Sequence, residues 1–576
     1  MRGLLATSIG VTCAAALALP LTPPADAATV RPAPATKTVP TGTTRVTSPD
    51  TPTTPTLPDL PGSTQSLPLT SLTDDRALGG TGVDQGLPRR DVRHFSLLGV
   101  VWDDPAAELH GRVQVRTRPA DSAAWSDWQD VETHNADHGA DPETSESASG
   151  RVRGATAPLW VGDSDGVEIR VHPDTESRTE ETGRGTRTRS VAAPLPSGLR
   201  LELVDPGAAT PAHVPAGPPR TGATPPDTTA LDTPDAPDAQ DPATENTPEN
   251  TTDPDAETPE TASDTASDTA PETGSETASE TGSETASETG SETASETGSE
   301  TASETGSGTS SASGPSASAS ATTGMSAETK AASAANTPLA PLGATEIPAL
   351  DRPGTERELF TLRAAELTEA QRARPYIGPR PSIVTRRGWG ADEDLREKRF
   401  VYTTKVKAAF VHHTASGNSY KCSQAASVIR GIYRYHVESM GWRDIGYNFL
   451  VDKCGKIYEG RAGGVANPVL GAHTLGFNTN SMGIAVLGTF TSAKPNSATV
   501  NAVARLTAWK LGLFGANPKG KTYLKSAGGN LYAKGKNVRL NVISGHRDGF
   551  ATECPGKQLY GKLGSARSTS ASYQGR

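Results

Sequence analysis

The period of the apolar residues changes along the chain. Residues 4–21 are mostly apolar, and 28–92 form a Pro/Thr-rich stretch without periodicity. From 93 to 206 the period becomes two. Phe95-Ser-Leu-Leu-Gly-Val-Val-Trp102 is a strand-like run; Val113 and Val115, then Val167, Ile169 and Val171, then Leu199, Leu201 and Leu203 alternate with other residues. Alternate side chains of a strand share one face, so these segments, separated by Gly, Asp and Pro, predict a smaller all-β domain over 93–206. Between 207 and 349 Pro, Asp, Thr and Ala give way to Ser275-Glu-Thr-Ala-Ser-Glu-Thr-Gly282, repeated through Gly306. A polar repeat with no apolar face has nothing to bury, which excludes a solenoid and predicts a disordered acidic linker.

Helical spacing follows. Residues 350–374, ending near 362–372, predict a short helix. Residues 406–412 predict a core strand, and 423–438 an amphipathic helix with Val428, Ile429, Ile432 and Tyr435 on its apolar face. Residues 447–452 and 456–459 predict a hairpin around Lys453-Cys-Gly455, 482–488 a buried strand, and 500–513 a second amphipathic helix; Val542 and Ile543 lead into His546. Alternating helices and strands over 375–565 predict an α/β domain, a mixed β-sheet flanked by helices.

Composition narrows the picture. At 576 residues, 34% hydrophobic and 5% aromatic with 58 Gly and 46 Pro, the chain holds several domains and a large unfolded fraction. Arg2, the apolar run and Ala25-Asp-Ala27 predict a signal peptide over 1–27. A membrane anchor is the competing reading, weakened by Thr and Ser within the run and by the Pro-rich sequence after it. No later apolar stretch is long enough to span a bilayer, so no membrane span is expected. Residues 375–576 hold 29 Lys/Arg against 10 Asp/Glu, a net of +19, while the whole chain is −11. A basic module fits an anionic polymer. With a secretion signal and no nucleic-acid motif, an anionic wall polymer is expected rather than nucleic acid.

The chemistry gathers in two stretches. Ala409-Phe-Val-His-His-Thr-Ala415 places histidines at the end of a predicted strand, and Asn541-Val-Ile-Ser-Gly-His-Arg-Asp-Gly-Phe-Ala-Thr-Glu-Cys-Pro-Gly556 holds His546 and Cys554. Two imidazoles and a thiolate suit tetrahedral Zn²⁺ with one position open to water. No cluster of His, Cys or paired acids stands out in 93–206, and Trp125 and Trp128 are expected to serve core packing rather than glycan binding.

Five motifs strengthen this reading. His412–Thr414 is followed in order by Gly441-Trp-Arg-Asp-Ile-Gly-Tyr-Asn-Phe449, Tyr458-Glu-Gly-Arg461, Gly471-Ala-His-Thr474 and Ser544-Gly-His-Arg-Asp548. Together they resemble the peptidoglycan recognition protein and type 2 N-acetylmuramoyl-L-alanine amidase family, which includes the phage T7 lysozyme. The resemblance covers about 386–560 and implies that family's α/β fold around a five- or six-stranded sheet. It implies zinc as cofactor with His412, His546 and Cys554 as ligands, and Tyr447 as the catalytic tyrosine. Thr552 is a second catalytic candidate, standing where the phage enzyme has lysine. His413, Thr414, His436, His473 and Asn478 map to substrate contacts. Tyr447 also reads as a core residue and His436 equally as structural. With Cys554 on the metal, Cys422 and Cys454 remain to form a disulfide. The expected protein is a secreted or wall-located monomer that hydrolyses the amide between the muramic acid lactyl group and L-alanine of peptidoglycan. The alternative is a non-catalytic peptidoglycan-binding protein.

Overall fold

The computed structural model describes residues 62–72, 84–182, 185–208 and 325–576, all within one unit, Asp59–Arg576. The expected signal peptide and the repeat segment lie outside these residues.

The β domain carries β1 (Ser63–Pro68), β2 (Thr70–Ser71), β3 (Gln85–Trp102), β4 (Gly111–Pro119), β5 (Gln129–Val131), β6 (Gly154–Ala155), β7 (Leu159–Pro173), β8 (Thr175–Thr182), β9 (Gly185–Ala192) and β10 (Arg200–Asp205). Its main sheet runs β1-β10-β3-β7-β4-β5, and β8 pairs only with β9. The alternating residues Val113, Val115, Val167, Ile169, Val171, Leu201 and Leu203 are all buried in one core. The domain begins earlier than the expected 93. β1 pairs with β10, and β3 is irregular in register from Leu87 to Leu97, so its polar first half hides the period. Trp125 and Trp128 are not core residues. They lie half-buried beneath guanidinium groups, Arg89 5.0 Å from the Trp125 ring centre and Arg170 4.0 Å from that of Trp128, a cation–π arrangement.

The second half carries α1 (Ala327–Ala334), β11 (Glu346–Ile347), α2 (Arg352–Arg363), α3 (Glu369–Ala373), β12 (Ile383–Val384), α4 (Arg386–Trp389), β13 (Ala408–His413), α5 (Ala425–Arg434), β14 (Phe449–Val451), β15 (Ile457–Glu459), β16 (Ser481–Val486), α6 (Ser497–Gly512), β17 (Lys521–Lys525), β18 (Asn537–Asn541), β19 (Ile543–Gly545), α7 (Lys557–Tyr560) and α8 (Leu563–Tyr573). The mixed sheet has seven strands, β11-β12-β15-β14-β16-β13-β19, rather than five or six. Folded chain starts at 325, inside the expected linker, because α1 and β11 pack onto this domain, and it runs past 565 through α8. The single short helix expected within 350–374 is two, α2 over Arg352–Arg363 and α3, which starts from a Thr368–Gln371 capping box. The 447–459 hairpin is present as β14 and β15.

α5 joins the two halves. Val428, Ile429 and Ile432, with Tyr435 just after the helix, share one cluster with Leu450, Ala485 and Leu487 of the second half and with Leu97, Val101, Trp160 and Val204 of the β domain. A helix buried on two sides is a layer between sheets. The fit is close. A Cβ on Gly99 would fall 2.3 Å from the Tyr435 hydroxyl oxygen, and that hydroxyl donates to the Thr156 carbonyl at 3.1 Å. No helix among the described residues is long and apolar enough to cross a membrane.

Candidate metal centre

Parallel pairing brings two histidines together. β13 and β19 lie side by side with Val411 opposite Gly545, so the next residues, His412 and His546, emerge at the same carboxyl end of the sheet, where open α/β sheets place their sites. Alternation separates His412 from His413: Ala409 and Val411 enter the main core, while Ala408 and Phe410, on the face His412 shares, pack beneath Phe477. His412 Nδ1 stands 3.1 Å from His546 Nδ1 and 3.8 Å from Cys554 Sγ. Tetrahedral zinc with bonds of about 2.0–2.3 Å holds such donors roughly 3.3–3.7 Å apart, so the three atoms suit one ion.

The far side of each imidazole is engaged. His412 Nε2 lies 3.2 Å from His473 Nδ1, and His546 Nε2 donates to the Asp137 carbonyl at 3.2 Å. Such partners fix the tautomer and aim Nδ1 at the shared point. Burial and the neighbouring imidazoles hold His412 well below the ordinary imidazole range. Burial brings His413 down to about 4 and His546 down to about 3, although Asp137 opposes the latter. The imidazoles are neutral and offer lone pairs. Burial pushes the Cys554 thiol up, a direction that a bound cation reverses.

A fourth group faces the same point. His138, from the loop 132–153 of the β domain, joins His412, His546 and Cys554 with one ligand atom each, all within 4.8 Å of one another. His138 Nδ1 is 2.8 Å from Asp137 Oδ1. Its Nε2 is buried with no hydrogen-bond partner among the described residues. An orphaned imidazole nitrogen beside two imidazoles and a thiol is the donor set a zinc ion needs, so the residues fit the metal. Burial opposes ionisation of Asp137, but His138 and His546 beside it win and hold its carboxyl below the usual range.

A cavity of about 610 Å³ opens on this point, lined by His413, Thr414, Tyr447, Thr552 and Cys554 of the second half and by Asp137 and His138 of the β domain, among others. The Tyr447 ring centre is 5.5 Å from that of His412. Thr552 Oγ1 accepts from the Cys554 amide at 3.1 Å. Thr414 Oγ1 accepts from Gly488 N at 2.9 Å. Three expected substrate contacts lie elsewhere. His436 is buried against Trp442, ring centres 4.5 Å apart, and its Nδ1 accepts from Gly446 N. His473 is fully buried behind His412. The Asn478 side chain accepts from His473 N at 2.7 Å and donates to the Gly139 carbonyl and to Asp141 Oδ1, both at 2.8 Å. Cys422 and Cys454 are disulfide-bonded, and Cys554 is free and buried.

Sequence reasoning passed over the loop 132–153. Besides His138 it sends Asp141 to Gly476 N at 2.9 Å and Glu146 to Arg461. The signal was His134-Asn-Ala-Asp-His138 followed by Asp141, Glu143 and Glu146, a run of ligand-type and acidic residues within an otherwise apolar-patterned domain.

Two family models match the chain. One, described as Rv3811 N-terminal galactose-binding domain-like, covers residues 49–193; the other, N-acetylmuramoyl-L-alanine amidase, covers 402–557. Peptidoglycan-recognition protein SC2 of Drosophila simulans is 30% identical over 184 residues, 32% of this chain and 84% of that protein. An N-acetylmuramoyl-L-alanine amidase of Homo sapiens is 32% identical over 203 residues, 34% of this chain and 29% of that protein. Among solved structures, Drosophila PGRP-LB is 26% identical, with 32% of this chain and 92% of that one covered at a TM-score of 0.25. With 30% identity across most of a relative's length, and an amidase model spanning His412 to Cys554, the chain belongs to the peptidoglycan-recognition protein and type 2 N-acetylmuramoyl-L-alanine amidase family.

Proposed function

We propose that the protein is a secreted, zinc-dependent N-acetylmuramoyl-L-alanine amidase that hydrolyses the amide joining the muramic acid lactyl group to the L-alanine of the stem peptide. The observation that carries this reading is the convergence of His412 Nδ1, His546 Nδ1 and Cys554 Sγ beside Tyr447 at a cavity wall. Bound zinc supplies carbonyl polarisation and a water with a pKa near about 7. The protein's part is to hold His412 and His546 neutral by burial and to orient them through His473 and the Asp137 carbonyl. Burial raises the Tyr447 phenol well above its ordinary value, so it stays protonated and donates to an oxyanion in the cavity. Thr552 braces the Cys554 segment through its bond to the Cys554 amide. The basic charge of 375–576 suits anionic wall polymers, and the protein acts as a monomer.

The second reading, a peptidoglycan-binding protein without activity, is favoured by the recognition proteins among the relatives. The buried free thiol of Cys554 at the histidine pair favours the enzyme. The test is release of soluble stem peptide from purified peptidoglycan by the full chain, with and without chelator. Release that stops with chelator and returns with Zn²⁺ supports the amidase. Unimpaired release from metal-free protein refutes the zinc mechanism. Binding without release under every metal condition, in the wild type and in His138→Ala alike, leaves the recognition reading.

A further inference from the structure

The β domain reaches into the catalytic half's metal point and covers residues that face it. We propose that His138 is a fourth protein ligand to the metal, and that the loop 132–153 carrying it is an inhibitory latch that keeps the enzyme latent until the loop is displaced. This rests on the zinc amidase reading.

Three independent observations carry it. The first is the donor set. His138, His412, His546 and Cys554 bring ligand atoms within 4.8 Å of one another. Three protein ligands leave zinc an open position for water, while four close it, which is the structural rather than the catalytic pattern. The second is the orientation of His138. Its Nδ1 is tied to Asp137 Oδ1 at 2.8 Å, and its side chain is only 7% exposed. Nε2 has no partner among the described residues. A carboxylate on one imidazole nitrogen with the other nitrogen free is how metal-bound histidines are held. The third lies away from the metal. Asn478 and the backbone around it are occupied by the Gly139 carbonyl and the Asp141 carboxylate, and Arg461 by Glu146. The loop docks on the second half through these polar contacts, and of its residues only Val152 packs against an apolar cluster among the described residues, so its displacement exposes little apolar surface.

The experiment uses the full chain loaded with zinc, in wild-type, His138→Ala, His138→Gln and Glu146→Gln forms. X-ray absorption at the zinc edge reads the ligands, chelator competition reads retention, and stem-peptide release reads hydrolysis. The wild type is expected to show three nitrogens and one sulfur. His138→Ala and His138→Gln exchange one nitrogen for oxygen, yield zinc to roughly tenfold less chelator and hydrolyse roughly tenfold faster or more. Glu146→Gln, which loosens the loop without touching a ligand, shifts hydrolysis the same way to a smaller degree. A wild-type shell of two nitrogens, one sulfur and an oxygen overturns the fourth ligand. Slower hydrolysis in both His138 variants and in Glu146→Gln overturns the latch, since the loop then assists the reaction. Should one His138 variant fail to fold, the other and the wild-type spectrum still decide. A four-ligand wild-type shell with no hydrolysis by any form supports the ligand and sinks the amidase reading instead.

Discussion

Glu146 and Arg461 form a two-pronged ion pair, both N···O distances 2.9 Å, across 315 residues of sequence. Both side chains are buried, 6% and 4% exposed. Arg461 belongs to the Tyr458-Glu-Gly-Arg461 motif of the second half. The partner, however, comes from the other domain.

Removing one charge of a buried pair leaves the other uncompensated. Glu146→Gln is therefore expected to lower the unfolding free energy of the full chain by about 3–5 kcal/mol. Glu143→Gln breaks the pair with Lys534, whose side chains are 75% and 59% exposed, and is expected to change stability by less than about 1 kcal/mol. Urea titrations of both variants provide the comparison. Equal shifts would mean that the buried pair is not anchoring the interface.

On the zinc amidase reading, metal content and catalysis are expected to separate by residue. Cys554→Ser is expected to lose both zinc and hydrolysis, because a hydroxyl is a poor ligand beside a thiolate. Tyr447→Phe is expected to keep its zinc and lose roughly 10²–10³-fold in rate, the cost of deleting one oxyanion donor. Zinc by mass spectrometry and released stem peptide are measured on the same samples. Zinc loss in Tyr447→Phe would place the tyrosine among the groups that hold the metal.

Position 473 gives a third test. The imidazole contacts His412 rather than the cavity, with Nδ1 3.2 Å from His412 Nε2. His473→Ala is expected to weaken zinc retention by roughly 10–100-fold, as loss of an outer partner does, while peptidoglycan binding by the full chain stays within about twofold. A pull-down that fails while zinc is retained would restore the substrate role expected from the sequence.

Glu459 gives a pH dependence. Burial raises its carboxyl to about 7 despite hydrogen bonds from Asn336 and the Arg386 amide. A folded-state pKa above the unfolded value means the native state holds the extra proton. The associated stability is present below the ordinary carboxylate pKa and is lost as pH rises through about 7. The wild type is expected to lose stability between about pH 4.5 and 7 relative to Glu459→Gln. Parallel curves from denaturant unfolding at pH 5 and pH 8 would refute it.

The disulfide is a further lever. It links Cys422 to Cys454 across a sequence separation of 32, and chain entropy assigns a loop of that length about 3–4 kcal/mol. The double variant Cys422→Ala, Cys454→Ala should unfold at correspondingly lower urea, with zinc content unchanged because Cys554 is not involved. A fall in bound zinc would contradict that separation.

What the sequence revealed tracks how local each feature is. His412 and His546 each end an apolar strand run, so their meeting follows from parallel pairing of two strands visible as patterns. The 447–459 hairpin is equally local, with turn residues at Lys453-Cys-Gly455. His138 is different. It stands on a loop whose place depends on docking a whole domain, and no period along the chain encodes that. His473 is less legible for a related reason: the motif places it near the site, but only packing decides whether its side chain faces the cavity or lies behind His412. The folded chain starting at 325 was hidden because α1, Ala-rich and eight residues long, continues the composition of the repeat before it.

The layer made by α5 also constrains how this chain tolerates exchange of parts. Gly431 leaves room for Leu97, whose Cδ1 would sit 3.2 Å from any added Cβ, and Gly99 leaves room for Tyr435. Two glycines, one in each half, thus accommodate two large side chains from the opposite half. A β domain grafted from a relative would dock only if it presented a glycine at the position of Gly99 and a Leu-sized residue at that of Leu97. The two halves are therefore expected to be inherited together and to vary in matched pairs, as subunits of one machine rather than as interchangeable modules.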